Sequence, residues 1–323
     1  MDILVCPQCG SAVTKKGLDS SGKQRYFCKK CGLRTVNPRK FQSDKKHQDF
    51  NWREWSEHLS ERQELTEKAT GSQNECNIIL PTEHEKIIIF PFADTHLGSI
   101  GSNYDEFVRF TDEYLLKYDN LYMVLVGDMV DKFSQFKNML AVHQMIMTPQ
   151  QQDDFIENWL QDTKHKILFA TWGNHEAMQE KASGQNGVKN IFIKQLVYFN
   201  GIGIANIKIN DINYGIVATH LTRGNSAFNK THGLKRIARE DIPDYDIYIS
   251  AHNHTAAFEV ARERGLRQTF LKCGTLKIND GHARRYYSYN SSIDYPVVVL
   301  NSTKKLVTPF WTLDEALDHC GLV

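Results

Sequence analysis

The sequence predicts a large α/β domain with mixed β-sheets, preceded by a small cysteine-rich module. From about residue 85, short apolar runs alternate with segments of helical periodicity, as in residues 86–94 (KIIIFPFAD), 103–118 (NYDEFVRFTDEYLLKY) and 121–128 (LYMVLVGD). This alternation of buried strands and amphipathic helices is typical of an α/β domain. The second half is richer in strands, and residues 202–220 predict a hairpin that turns near residue 210.

Length and composition agree with this organisation. The 323 residues suffice for one large domain and a small accessory module, and 41% hydrophobic residues are ordinary for a chain with a real core. No apolar run reaches the roughly 18 residues that a membrane span needs, so we expect no membrane association. The first residues, MDILVCPQCG, lack the basic-then-apolar order of a signal peptide. We therefore expect an intracellular, cytoplasmic protein.

The small module is marked by two C-x2-C pairs separated by eighteen residues. Its four cysteines are Cys6, Cys9, Cys28 and Cys31. That spacing suits one structural Zn²⁺ held tetrahedrally by four thiolates. A glycine follows each pair, which suits a tight turn with positive φ. We therefore predict a zinc ribbon over residues 1–38 that depends on its metal to fold, with a redox role of the cysteines as the alternative.

Positive charge is concentrated in this module and just beyond it. Residues 1–46 contain eleven lysines and arginines against three acids, a net charge of +8, while the whole chain carries only +1. A basic region that coincides with a metal-binding module favours nucleic acid as a partner, and an ordinary solvated face is the alternative. Residues 39–84 predict a polar connector with a short helix, and residues 85–323 form the α/β domain.

Residues of metal-ligand type follow five apolar strands of the α/β domain. The five groups are Asp94-Thr95-His96, Gly127-Asp128 with Asp131, Gly173-Asn174-His175-Glu176, Thr219-His220 and Ala251-His252-Asn253-His254. The C-terminal ends of strands are where α/β folds gather their active-site groups. A lone histidine at a strand end is usually a satisfied core or surface residue. Five such groups in one chain favour a shared metal site instead.

The order D-x-H, GD-x-x-D, GNHE, H and H-x-H resembles the calcineurin-like metallophosphoesterase family over about residues 86–310. The resemblance implies a four-layer sandwich in which two mixed β-sheets lie between layers of helices. It also implies two adjacent metal ions bridged by a carboxylate and by a hydroxide. The expected architecture is therefore an α/β metallophosphoesterase sandwich that carries a small N-terminal zinc ribbon.

Carried over motif by motif, the resemblance implies a role for each residue of the five groups. The first metal would be held by Asp94, His96 and His254, the second by Asn174, His220 and His252, and both by Asp128. His175 would stand over the metals and face the substrate, and we assign to it the protonation of the leaving oxygen. Asp131 would orient a ligand histidine.

The donor atoms narrow the choice of metal. Two carboxylates, four imidazoles and one amide suit Mn²⁺, Fe or Zn²⁺ better than Mg²⁺, and we expect Mn²⁺ first among these. Metal binding lowers the pKa of water toward roughly 7, which generates a hydroxide nucleophile at neutral pH. Two ions about 4 Å apart would also hold the phosphoryl oxygens for in-line attack. The predicted reaction is therefore phosphoester hydrolysis.

The substrate is constrained less tightly than the reaction. Phosphoprotein phosphatases of this family usually read GD-x-x-D-R-G where this chain reads GDMVDKF, and the nuclease branch often has GNHD where this chain has GNHE. The segments CPQCGS and GKQRYFCKKCGLRT are similar to the zinc ribbons of some transposases, which implies a DNA-handling context. Residues 282–292 predict either a nucleic-acid contact by charge and base stacking or an exposed loop. The candidate contacts in that segment are Arg284, Arg285, Tyr286 and Tyr287.

Three functions are open on the sequence alone. The leading one is a two-metal DNA phosphodiesterase, a nuclease of repair, recombination or mobile-element and phage biology. The second is a phosphatase that acts on a phosphoprotein or a small phosphoester and uses the ribbon to dock a protein. The third is a DNA-binding subunit with an inactive fold, and the complete ligand set argues against it. The sequence predicts no oligomeric state.

Overall fold

The structure is a computed structural model that describes residues 3–41, 51–70, 75–132, 144–183, 187–224, 226, 228–277 and 293–323. The chain divides into two compact units, Met1–Leu65 and Thr66–Val323. Within the described ranges, no helix combines the length and the apolar character that crossing a membrane requires.

The first unit contains two small antiparallel sheets. Strand β1 (Ile3–Val5) pairs with β5 (Arg39–Phe41), while β2 (Val13–Leu18), β3 (Gln24–Cys28) and β4 (Arg34–Thr35) form a three-stranded sheet in that order. Gly10 and Gly32 close the turn after each cysteine pair with φ values of 70° and 74°. Their amides donate to the carbonyls of Cys6 and Cys28, each at 2.9 Å. These two tight turns bring the cysteine pairs together.

Helix α1 (Trp52–Thr70) follows, within the segment predicted as a polar connector. Oδ1 of Asn51 accepts hydrogen bonds from the amides of Arg53 and Glu54, at 2.9 and 3.2 Å, and Oε2 of Glu54 accepts from the amide of Asn51 at 2.8 Å. This reciprocal capping satisfies amides that have no partner within the helix, and it explains where the helix begins. The helix has 19 residues, more than the short helix predicted.

Sheet I of the second unit has four parallel strands and two antiparallel ones. Its strands are β7 (Lys86–Phe92), β8 (Leu121–Leu125), β9 (Ile167–Thr171), β10 (Tyr198–Phe199), β16 (Val297–Asn301) and β17 (Val307–Phe310). They lie in the order β10-β9-β8-β7-β16-β17, with β7 to β10 parallel. Parallel neighbours need crossover connections. Helix α2 (Tyr104–Arg109), extended by a π-helical turn, lies between β7 and β8, and α3 (Pro149–Thr163) between β8 and β9.

Sheet II also mixes parallel and antiparallel pairs. Its strands are β6 (Glu75–Leu80), β11 (Gly203–Ile209), β12 (Ile212–Thr219), β13 (Ile247–Ser250), β14 (Ala257–Glu263) and β15 (Leu266–Lys272). They lie in the order β14-β15-β13-β12-β11-β6. The predicted hairpin is present as β11 and β12, and Asn210 in its turn has φ of 51°. The edge strand β6 pairs with β11 and comes from the segment predicted as connector.

Alternating residues of sheet II face two different layers. Ala218, Ile249 and Leu271 belong to one large apolar cluster together with residues of sheet I. Tyr248 and Phe270 instead pack in a second cluster with residues of α6 (His232–Arg236) and the π-helical turn after it. The remaining helices are α4 (Asn174–Ser183), α5 (Gly187–Gln195) and α7 (Leu313–Cys320). Two six-stranded mixed sheets flanked by helices confirm the predicted α/β metallophosphoesterase sandwich.

Candidate metal centre

The five predicted groups each follow the C-terminal end of a strand. Strands β7, β8, β9, β12 and β13 lead to Asp94, Asp128, Asn174, His220 and His252, respectively. Backbone hydrogen bonds tie the first two loops together, because the amide of Asp94 donates to the carbonyl of Gly127 and the amide of His96 to that of Asp128, both at 3.1 Å. Side chains far apart in the sequence therefore meet at one edge of the two sheets.

The backbone at this edge is strained. Five of the seven candidate ligands have φ in the left-handed region, namely Asp94 (51°), His96 (47°), Asp128 (53°), His252 (73°) and His254 (55°). Each such conformation costs about 1–3 kcal/mol and is kept only where contacts with the surrounding structure hold the backbone in place. One such constraint joins two strand ends, since the amide of His252 donates to Oδ2 of Asp94 at 2.7 Å. The strain is concentrated on the residues whose side chains converge.

The first cluster of ligand atoms is formed by Asp94, His96 and His254. The Nε2 atoms of the two histidines lie 3.0 Å apart, and each lies within 3.7 Å of Oδ1 of Asp94. That oxygen is buried and accepts no hydrogen bond from the described residues. Two imidazole nitrogens and this carboxylate oxygen therefore face each other, and the oxygen is a buried acceptor without a donor. A metal cation would satisfy all three atoms, so the residues fit a metal.

The second cluster is formed by Asp128, His220 and His252. Nε2 of His220 lies 3.0 Å from Oδ2 of Asp128 and 3.0 Å from Oδ1 of Asn174. The other ring nitrogen, Nδ1, lies 2.8 Å from the carbonyl of Val126, an acceptor that fixes a proton on Nδ1. With Nδ1 protonated, Nε2 of His220 is the ring nitrogen that faces the carboxylate and the amide oxygen, as in a metal-ligating histidine.

Asp131 lies behind these clusters and contacts two histidines. Its Oδ1 is 3.1 Å from Nδ1 of His96 and 2.9 Å from Nδ1 of His175. The carbonyl of Asp131 also lies 2.8 Å from Nδ1 of His175. Because these contacts occupy Nδ1 of both rings, Nε2 is the nitrogen that faces the centre. Nε2 of His175 lies 4.0 Å from Oδ2 of Asp128.

The carboxylates dominate the electrostatics of the centre. Burial disfavours a charged imidazole, but the carboxylate of Asp128 outweighs it and raises the pKa of His220 to about 10. The same balance, with Asp128 and Asp131 against burial, raises the pKa of His175 to about 9. Burial opposes ionisation of Asp131, yet hydrogen bonds from His175 and His96 hold its pKa well below the usual range. The centre therefore stabilises positive charge, whether protons or a metal cation.

Two residues that the sequence analysis gave no role support the centre from behind. Lys277 is buried, and its Nζ donates to both carboxylate oxygens of Asp131 at 3.0 Å. Glu176 is also buried; its Oε1 accepts from the amide of Met129 at 2.7 Å and its Oε2 from that of Asp128 at 3.1 Å. Lys277 lies in no motif, so no local signal points to it. Glu176 ends the GNHE motif, and its position there was the available signal.

Two glycines of the motifs allow the strand ends to approach each other. A side chain at Gly127, where φ is 78°, would lie 2.5 Å from the carbonyl oxygen of Trp172 and 2.8 Å from Nδ1 of His220. A side chain at Gly173 would collide with Glu176 and with the backbone of Asp128. Gly127 before Asp128 and Gly173 before Asn174 are therefore required by close packing around the centre.

The cysteine cluster of the first unit is a separate metal-binding arrangement. Sγ of Cys6 lies 3.5 Å from Sγ of Cys31, and Sγ of Cys9 lies 3.5 Å from Sγ of Cys28. Thiolates about 2.3 Å from one tetrahedral zinc would lie about 3.8 Å apart, so these distances are compatible with four-thiolate binding. The cluster fits a small zinc ribbon. The candidate nucleic-acid contacts Arg284, Arg285, Tyr286 and Tyr287 lie outside the described residues.

Solved structures of known proteins show low sequence identity to this chain. A Thermotoga maritima protein solved by NMR is 14% identical with a TM-score of 0.34, and the match covers 70% of this chain and 99% of that one. A metallophosphoesterase from Sphaerobacter thermophilus is 10% identical with a TM-score of 0.36, covering 73% and 95%. Vps29 from Chaetomium thermophilum is 10% identical with a TM-score of 0.35, covering 69% and 96%. No curated protein matched the chain.

The match to a family model, unlike the match to these structures, assigns the chain to a family. The model of the family described as calcineurin-like phosphoesterase matches residues 89–257, more than half of the chain. The match begins in β7, includes the C-terminal ends of all five strands that lead to candidate ligands, and extends past His254. The chain therefore belongs to the calcineurin-like phosphoesterase family and is a metal-dependent phosphoester hydrolase.

Proposed function

We propose that this hydrolase is a phosphodiesterase that cleaves DNA. The observation that carries the proposal is the meeting of two ligand clusters, one around Asp94 and one around Asp128, beside the partly accessible side chain of His175. A centre of this kind acts on phosphoesters, and the basic first unit selects a polyanionic substrate. Residues 1–46 carry a net charge of +8, which suits contacts to a phosphate backbone.

The proposal assigns the ligands as follows. The first metal would be held by Asp94, His96 and His254, the second by Asn174, His220 and His252, and both by Asp128. When bound, two divalent ions supply an activated water and positive charge for the phosphoryl oxygens. Mn²⁺ fits this mixture of nitrogen and oxygen donors, as do Fe and Zn²⁺. The cysteine cluster holds one structural Zn²⁺.

The proposal gives His175 the role of proton donor to the leaving oxygen. Contacts to the carbonyl and to the carboxylate of Asp131 fix its Nδ1, so the ring presents Nε2 to the centre. Its side chain is 13% exposed, whereas those of His96 and His220 are almost fully buried, so it is the imidazole of the three that an entering phosphodiester can reach. General acid catalysis of this kind is typically worth about 10²- to 10⁴-fold.

Hydrolysis of matched substrates tests the proposal. We expect the Mn²⁺-supplemented full chain to cleave labelled single- or double-stranded DNA and bis-nitrophenyl phosphate, but to act poorly on nitrophenyl phosphate and on nucleoside monophosphates. Asp128→Asn should abolish the activity, whereas Asp162→Asn, the same change on the exposed surface of α3, should preserve it. Activity on monoesters without activity on DNA would instead support a phosphatase that uses the ribbon to dock a protein.

A further inference from the structure

We propose that a cavity on the ribbon sheet binds a single-stranded segment of nucleic acid. The cavity has a volume of about 270 Å³ and is called here the ribbon cavity. It is lined by Lys16, Arg25, Tyr26, Phe27 and Arg34. These residues come from β2, β3 and β4, so the ribbon cavity lies entirely within the first unit and apart from the metal centre. The inference extends the proposed function by naming where the substrate is held outside that centre.

Strand register explains why cations and the ring of Phe27 meet there. Phe27 is paired with Thr14 of β2 on one side and with Arg34 of β4 on the other. Residues two positions apart in a strand share a face, so Arg25 lies on the same face as Phe27.

The charge of the ribbon cavity suits a phosphodiester backbone. Its three cations, Lys16, Arg25 and Arg34, are exposed, and no acid is among the residues that line it. The one acid within residues 3–41 is Asp19, whose Oδ1 accepts three hydrogen bonds from Ser21 and Lys23 in the hairpin turn. Arg25 interacts electrostatically with this carboxylate, so three cations and one acid leave a net charge of +2 at the cavity. Such an excess of positive charge binds backbone phosphates without regard to base sequence.

The ring of Phe27 favours unpaired bases over a duplex and over an acidic protein. Phe27 is half-buried at the cavity, so its ring is fixed by the sheet but still partly accessible. Tyr26 also lines the cavity, although its place in the strand is on the opposite face. Bases stack on such rings only when they are not already stacked and paired in a duplex. An acidic peptide would use the cations but would gain nothing from the rings. A groove that combines exposed cations with aromatic rings is how proteins hold single strands without sequence preference.

Binding measurements on the full chain test the proposal. The probe is a short fluorescein-labelled oligothymidylate, observed by fluorescence anisotropy with zinc-loaded protein and no other divalent cation, and the intact probe is confirmed on a gel. The triple variant Lys16→Ala, Arg25→Ala, Arg34→Ala should bind at least about tenfold more weakly. Each phosphate contact contributes about −0.7 to the slope of log K against log salt for single strands, so the slope should become less steep by about 2.

A matched control removes the same charge elsewhere on the ribbon. Lys15→Ala, Lys23→Ala, Lys30→Ala changes three exposed lysines that do not line the cavity and leaves every cysteine in place. We expect a clearly smaller loss of affinity for this variant, at unchanged zinc content in both. Equal losses for the two triple variants would overturn the proposal, because they would show binding by diffuse charge.

The aromatic part of the proposal has its own test. Phe27→Leu keeps an apolar side chain in the sheet but removes the ring, and we expect about five- to tenfold weaker binding of oligothymidylate with little change for a duplex. Dextran sulfate should compete poorly with the oligonucleotide at equal charge. Equal competition, or no effect of Phe27→Leu, would overturn the proposal in favour of a general polyanion or acidic-protein site. Binding without any DNA cleavage would leave this inference standing and overturn the proposed function.

Discussion

Lys277 donates hydrogen bonds to both carboxylate oxygens of Asp131, each at 3.0 Å, and the two side chains are buried together. The same carboxylate contacts Nδ1 of His96 and Nδ1 of His175. The ammonium group therefore holds in place the residue that orients both imidazoles. Removing one partner of such a buried pair leaves the other as an uncompensated charge, so the centre should depend on Lys277 although it carries no ligand atom.

We expect Lys277→Met to lower kcat on bis-nitrophenyl phosphate by about 10- to 100-fold, the range typical for groups that support metal-ligating histidines. Lys277→Arg keeps the positive charge and should retain more activity. The control is Lys305→Met, which removes an exposed ammonium 2.9 Å from Asp246 and should leave kcat unchanged. Steady-state kinetics and metal analysis on the same preparations measure the effect. Full activity of Lys277→Met at full metal content would show that Asp131 needs no counter-ion.

Metal content and the role of Asp128 form a second prediction. The purified chain should contain about one tightly held zinc in the cysteine cluster and two exchangeable ions in the catalytic centre. Mild chelation should remove activity before the ribbon zinc, and Mn²⁺ should restore it. Asp128→Ala should remove most activity even at saturating Mn²⁺, because the proposal gives both ions this one carboxylate. Near-normal turnover of that variant would contradict the bridging assignment.

The leaving group distinguishes two roles for His175. A nitrophenolate departs without a proton, whereas the sugar alkoxide of DNA is a far poorer leaving group. If His175 is the acid, His175→Asn should keep much of the activity on bis-nitrophenyl phosphate and lose about 10²- to 10⁴-fold on DNA. Metal content must be determined first, because His175 adjoins the proposed ligand Asn174 and a loss of metal would also lower the activity. Equal losses on both substrates at full occupancy would show that His175 only positions the phosphate.

Glu176 should contribute to stability as well as to the geometry of the centre. Glu176→Ala removes the acceptor of the buried amides of Asp128 and Met129, and an unsatisfied buried donor costs about 1–3 kcal/mol. We expect a lower midpoint of urea unfolding together with reduced activity. Glu157→Ala, on the exposed face of α3, is the matched control and should change neither. An unchanged midpoint for Glu176→Ala would mean that water replaces the carboxylate.

The order of strands and motifs was predictable because its signals are local. The apolar run before Asp94 and the one before Asp128 are readable as buried strands, and parallel strands deliver their C-terminal ends to one edge of a sheet. The turn at Asn210 is equally local, since the polar pair Asn210-Asp211 interrupts two strands. The spacing of the four cysteines likewise predicted the cluster that the structure brings together.

Other features depend on contacts between distant parts of the chain. Strand β6 contains only a three-residue apolar run, Ile78 to Leu80, to separate it from the polar connector, and its backbone pairs with β11, more than a hundred residues later. Lys277 is an ordinary lysine in the sequence and becomes a buried counter-ion only where the segment after β15 brings it to Asp131. Burial and charge compensation are properties of the assembled neighbourhood, so a local pattern cannot show them.

By itself the sequence determined the fold class, the identity of the residues at the strand ends and the chemistry that their donor atoms permit. The tertiary structure decided which of those atoms face each other: it brought Nε2 of His96 to 3.0 Å from Nε2 of His254 and left Oδ1 of Asp94 buried without a donor. It also placed cations from three short strands, together with Phe27 from one of them, around one cavity. The donor atoms of a side chain are set by its residue type alone. The convergence and burial of those atoms arise only when strands far apart in the sequence pair in the sheets and water is excluded from the strand ends.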